Sequence, residues 1–129
     1  MMRVRFSVGV CVMHPEVKKR LQHALKACQG IDEFTNGVTF DEYESDRMLR
    51  SAVMRQLDVA GIAMKMARRK DPTITERLPN MRLITRIRHQ VIHRYYRVNN
   101  AAVWEVVQTG VPAIEGQIIA LLAKHDDAW

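Results

Sequence analysis

Arginine, two histidines and two tyrosines fall within the nine-residue stretch RHQVIHRYY, Arg88 to Tyr96. Three chemistries compete for it. His89 and His93 stand four apart, so on a helix both imidazoles share a face at the spacing zinc enzymes use. Zinc needs at least a third protein ligand, and the catalytic version carries a glutamate directly after the first histidine. Here that place is Gln90, and neither a second histidine pair nor a cysteine pair completes a ligand set. The second reading is electrostatic. Arg82, Arg86, His89 and His93 step by four, three and four, a basic stripe that either positions phosphates or is merely solvated.

The third reading pairs Arg88 with His93, with Tyr95 just beyond. Five residues turn a straight helix by about 140°, so the two leave a common face in mid-helix and converge only near a helix end. A histidine can serve as general base and acid, and a guanidinium can brace a phosphoryl oxygen as charge develops on it. Together they suffice for metal-free cleavage of RNA, in which the 2′-hydroxyl attacks the adjacent phosphate. One pair makes a sparse site; two pairs facing across a two-fold axis make a better one.

The remaining chain reads as the scaffold for this segment. Pro15 opens a helix with Val17, Leu21, Ala24, Leu25, Cys28 and Ile31 on its apolar side, and Asn36-Gly37 stops it. Thr39 and Glu42 form a capping box before the short helix FDEYESD. A long helix follows over about Asp46–Arg69. Its apolar residues occupy more than one face, so it is contacted from two sides, and AGIA at 60–63 invites close approach. The methionines at 48, 54, 64 and 66 read as adaptable core filler. Lys70–Asn80, with Pro72 and Pro79, breaks the chain, and the basic run at 68–70 reads as a solvated helix end. A helix over Met81–Tyr95 turns Leu83, Ile84, Ile87 and Val91 inward. Asn99 or Asn100 caps the last helix, which Gly110 and Pro112 should kink. The fold class is all-α: an up-and-down bundle of four main helices plus a short one.

Residues 13–129 form one domain, the size a single core supports. Alternating Val4, Phe6, Val8, Val10 and Val12 suit a short strand, and residues 1–12 are read as a peripheral arm or a dispensable extension before Met13. A net charge of +6 and a pI near 9.7 favour a polyanionic or acidic partner. Two cysteines without a repeated spacing indicate neither a disulfide framework nor a structural zinc site, and Cys28 reads as a buried free thiol. No apolar run approaches the roughly 20 residues of a membrane span, so a cytoplasmic protein is expected.

Arg88, His93 and Tyr95 match Arg-x4-His-x-Tyr, and this resembles the motif of HEPN-domain ribonuclease toxins of the HepT type, found beside a minimal nucleotidyltransferase (MNT) in toxin–antitoxin modules. DRMLRSAVMRQLDVAG at 46–61 is similar to the family's long second helix, with an acidic residue at Asp58. VWEVV at 103–107 is similar to the segment that follows the motif. The resemblance spans about residues 14–123. It implies a two-fold homodimer whose facing motifs build a metal-independent endoribonuclease site without cofactor, with Arg88 and His93 catalytic. It also implies an MNT antitoxin that blocks toxicity by transferring AMP to Tyr95. Arg82 and Arg86 would hold RNA phosphates, with His89 and Asp58 auxiliary. The family usually carries a small polar residue where His89 stands. Two readings follow: an active ribonuclease, or a non-catalytic module that binds RNA or nucleotide, or docks the nucleotidyltransferase.

Overall fold

The computed structural model describes residues 13–93 and 99–126. The expected arm at residues 1–12 and the tyrosines of the motif lie outside these ranges. Helix α1, Pro15–Thr35, starts on His14, whose Nδ1 accepts from the Glu16 amide at 3.0 Å. Asn36 ends it in an extended conformation, and Gly37 turns the chain at φ 76°, where a side chain would be strained. The capping box is formed as read: the Glu42 amide donates to Thr39 Oγ1 at 3.2 Å, and Glu42 Oε1 accepts from the Thr39 amide at 2.9 Å. It opens α2, Phe40–Ser45. Asp46 then caps α3, Arg47–Lys70, by accepting from the Leu49 amide at 3.0 Å.

The proline-bounded break holds one more element than the spacing suggests. A single turn, α4 (Ile74–Arg77), lies within it, and Ile74 and Leu78 are fully buried. The break therefore contributes two side chains to the core. Helix α5, Met81–His93, follows and buries Met81, Ile84 and Ile87, while Val91 is half-buried. Asn99 caps α6, Asn100–Glu105, accepting from the amides of Ala101 and Ala102 at 2.9 and 3.2 Å.

Where Gly110 and Pro112 predict a kink, the chain makes a π-helical turn, Val106–Gly110, and continues as α7, Val111–Asp126. A proline ring collides with the carbonyl four residues back in a regular helix, and a widened turn relieves that collision. The resulting rod, Asn100–His125, corrects the expectation about apolar runs. It is long and apolar enough to cross a bilayer by length and composition, with a mean hydropathy of 1.4 over its most apolar window. Its Val103, Val107, Val111, Ile114 and Ile118 are instead buried in the bundle core.

Helix α1 packs on α3 and α7, while α3 packs also on α5, as a helix contacted from two sides must. All the described elements are helical. Trp104 on α6 meets Tyr43 of α2 with ring centroids 5.0 Å apart, which clamps the short helix to the rod. Met64 is buried, as core filler should be, but Met48 is 78% exposed and Ile62 also faces outward, so the methionines do not act as one set. Cys28 is buried, and its thiol is pushed up to about 12 by burial and by the negative charges of Glu115 and Asp32.

Candidate active site

Three fixings set the position of α5. At its start, Gln117 of α7 and Asn80 clasp each other: the Asn80 amide donates to Gln117 Oε1 at 3.2 Å, and Gln117 Nε2 donates to Asn80 Oδ1 at 2.7 Å. In its middle, Leu83 lies over Gly110, where an added Cβ would sit 2.7 Å from Leu83 Cδ2. Near its end, Arg88 crosses to α3. The Arg88 stem rests on Gly61, so closely that a Cβ there would lie 2.5 Å from Arg88 Cδ. Arg88 Nε donates to Asp58 Oδ1 at 2.9 Å, and Arg55 approaches the other carboxylate oxygen at 3.9 Å.

The side chains of Arg88 and Asp58 are 22% and 24% exposed, so the pair is screened from solvent on most sides. The bond engages Nε, and the two terminal amino groups of the guanidinium remain as donors for an oxyanion. The small-residue run at 60–63 thus has a defined use: Gly61 admits an arginine rather than a bare helix ridge.

Between α3 and α5 lies a cleft of about 410 Å³. Arg82, Arg86, Arg88 and His89 line it from α5, and Gly61, Lys65 and Arg68 from α3. The basic stripe is therefore half of a two-walled site. The α3 half was missed in the sequence, where Arg68 reads as part of a solvated helix end. Its signal was present: Asp58, Gly61, Lys65 and Arg68 step by three, four and three along one face of the helix. Five cationic side chains around one cleft make a strong attractor for a phosphodiester backbone.

His93 is the last described residue of α5 and is exposed. Its ring lies 4.3 Å, centroid to centroid, from that of His89 one turn earlier. Arg88 meanwhile contacts α3, so within one chain the two expected catalytic residues are held on different sides, as their angular offset requires. His89 is the group that links them, lining the cleft beside Arg88 and touching the His93 ring. Tyr95 lies outside the described residues. Among the described residues, no three His, Cys, Asp or Glu side chains gather as a metal site.

A family model described as ribonuclease HepT-like matches residues 24–121, more than half of the chain. The chain belongs to the HepT-like ribonuclease family. A protein of Thermococcus cleftensis named "Probable ribonuclease HepT" is 28% identical over 100 residues, covering 78% of this chain and 90% of its own. A "Putative RNase" of Caldanaerobacter subterraneus subsp. tengcongensis is 29% identical, covering 81% of this chain and 93% of its own. Another, of Methanocaldococcus jannaschii, is 32% identical over 97 residues, covering 75% and 79%. No solved structure matches the chain. The HepT-like match includes all of α3 and α5, and so every described residue of the cleft.

Proposed function

We propose that this HepT-like chain is a metal-independent endoribonuclease that works as a two-fold homodimer in the cytoplasm, the toxin of a toxin–antitoxin pair. The observation that carries the reading is Arg88, fixed by Asp58 and Gly61 in a basic cleft that His89 also lines, with the His93 ring against that of His89. The cleft holds the RNA backbone through Lys65, Arg68, Arg82 and Arg86. His93 accepts the proton of the 2′-hydroxyl as that oxygen attacks phosphorus. The bond from phosphorus to the 5′-oxygen breaks, and the His93 of the second copy supplies the proton that the leaving oxygen needs. The products are a 2′,3′-cyclic phosphate and a free 5′-hydroxyl. Arg88 stabilises the extra charge on the pentacoordinate transition state, where a positioned guanidinium is most effective.

Two copies facing across a two-fold axis supply both a base and an acid to one phosphate, which a single Arg88 and His93 pair does not. The antitoxin is an MNT that transfers AMP from ATP to the Tyr95 phenol oxygen, with pyrophosphate leaving and the phenol proton released, and the added anion repels the RNA backbone. Cleavage of single-stranded RNA in excess chelator, wild type against His93→Ala, tests the activity. Loss of cleavage in the variant is expected. Equal cleavage by both defeats the assignment, and a stable RNA complex with no cleavage by either favours the non-catalytic binding module.

A further inference from the structure

Across α5 from the basic cleft lies a second hollow, of about 300 Å³, whose chemistry is different. Leu83 and Ile87 of α5 and Ala102 and Val106 of the rod form its apolar walls. Gln90, Glu105 and Thr109 supply polar groups along its rim, and Arg86 lines both hollows. Thr109 Oγ1 donates to the Glu105 carbonyl at 2.8 Å, so its hydroxyl proton is committed and its lone pairs remain.

We propose that this second hollow is a nucleobase subsite, taking one base of the RNA whose backbone lies in the basic cleft. The proposal rests on the ribonuclease reading and names its substrate preference. Charge separates the two lobes. The Glu105 carboxylate repels phosphate but accepts hydrogen bonds, whereas five cations line the other side. A nucleotide bridging the two therefore has one orientation, backbone towards Arg86 and base towards Glu105. The apolar walls suit a flat ring, and the volume falls at the lower end of small-ligand pockets. A carboxylate is best matched by a base edge carrying two adjacent donors. Guanine offers N1–H and the exocyclic amine, and is the base the subsite takes first.

The test uses the full chain carrying His93→Ala, so that RNA survives, and single-stranded oligoribonucleotides with one abasic position moved along the strand. One abasic position should weaken binding about fivefold or more, the scale of a lost base contact. Guanine should be favoured at that position. Glu105→Gln, which cannot disturb the core, should abolish the guanine preference without changing the dependence of binding on salt. Ala102→Trp should fill the hollow and erase the abasic effect. Salt-dependent binding with no abasic-sensitive position overturns this proposal alone, whereas failure to bind any RNA overturns the ribonuclease reading with it. Conversion of a dimer to a monomer by Ala102→Trp would assign the hollow to contact between copies, and would also overturn the subsite.

Discussion

Arg88 reaches Asp58 only because residue 61 has no side chain: a Cβ at Gly61 would stand 2.5 Å from Arg88 Cδ and 2.8 Å from its Cβ. Gly61→Ala must therefore move the arginine stem or the helix that carries it. Misplacement by about 1 Å can cost on the order of 10²-fold in rate, and RNA cleavage by Gly61→Ala should fall by about that factor. Gly30→Ala is the control. Its Cβ would meet nothing nearer than Gln56 at 3.8 Å, so cleavage should be unchanged. Helical alanine should add about 0.5–1 kcal/mol of stability there.

In the proposed reaction Asp58 would aim the Arg88 guanidinium without touching substrate. Asp58→Ala removes the acceptor at 2.9 Å and leaves Arg88 free to swing into the cleft or out of it. We expect kcat to fall about tenfold or more, with KM for RNA unchanged or lower because one negative charge has gone. Asp58→Asn keeps an acceptor and should recover part of kcat. Steady-state kinetics on a defined RNA decide it, and an unaltered kcat in Asp58→Ala would dismiss the aiming role.

Glu115 of α7 is raised from 4.5 to about 8 by burial, by its hydrogen bond with Asp32 of α1 and by the Asp32 charge. Between those two values the folded chain holds a proton that the unfolded chain has released. This contribution to stability is therefore full below pH 4.5, declines as pH rises, and is gone above about 8. Glu115→Gln mimics the protonated form. It should raise Tm by a few degrees at pH 8 and leave it nearly unchanged at pH 4.5, as thermal melts across that range would show. An equal shift at both pH values would detach the effect from the carboxyl proton.

Tyr43 is fully buried against Trp104, yet its hydroxyl has no hydrogen-bond partner among the described residues, and burial pushes its pKa up to about 12. A buried unpaired hydroxyl costs stability, so Tyr43→Phe should be neutral or stabilising by about 1 kcal/mol. Trp104→Ala should instead cost about 2–4 kcal/mol, because α2 loses its clamp. Denaturant titration measures both, and a strongly destabilised Tyr43→Phe would reveal a bond to the hydroxyl.

The proposed antitoxin reaction predicts that intact mass rises by one or more AMP units on co-expression with the nucleotidyltransferase, and that Tyr95→Phe abolishes the increment. Tyr95→Phe should still cleave RNA, since the phenol takes no proton in the proposed step. An increment that survives in Tyr95→Phe but disappears in Tyr96→Phe would move the acceptor by one residue.

Periodicity made much of the bundle legible. The stripe in α1, the capping box at Thr39 and the stop at Gly37 are local signals, and each is formed as read. The single turn at Ile74–Arg77 was hidden because two prolines mark where helices end, while the burial of Ile74 and Leu78 depends on what lies opposite them. At the site, spacing carries both the α5 stripe and the steps of Asp58, Gly61, Lys65 and Arg68 on α3, but nothing along the chain says that these two faces meet across one cleft. Asp58 entered only by resemblance to a family. Its bond to Arg88 spans 30 positions, and no pattern along the chain encodes it.

The π-helical turn at Val106–Gly110 has a last consequence, for changes in chain length. Such a turn stores one residue more than an α-helical turn of the same span, while the helix on either side keeps its direction. Deletion of the exposed Gln108 should let the turn close into ordinary α-helix with Trp104 and Ile114 still on their present sides, at the cost of bringing the Pro112 ring back against the carbonyl four residues before it. The same deletion inside α7 has no slack to consume. It would rotate everything beyond it by about 100° and turn Ile118 and Leu122 away from the core. The rod should therefore lose less stability from a deletion at this turn, where only the Pro112 ring is crowded, than from one within α7, a difference that comparison of the two melting temperatures would expose.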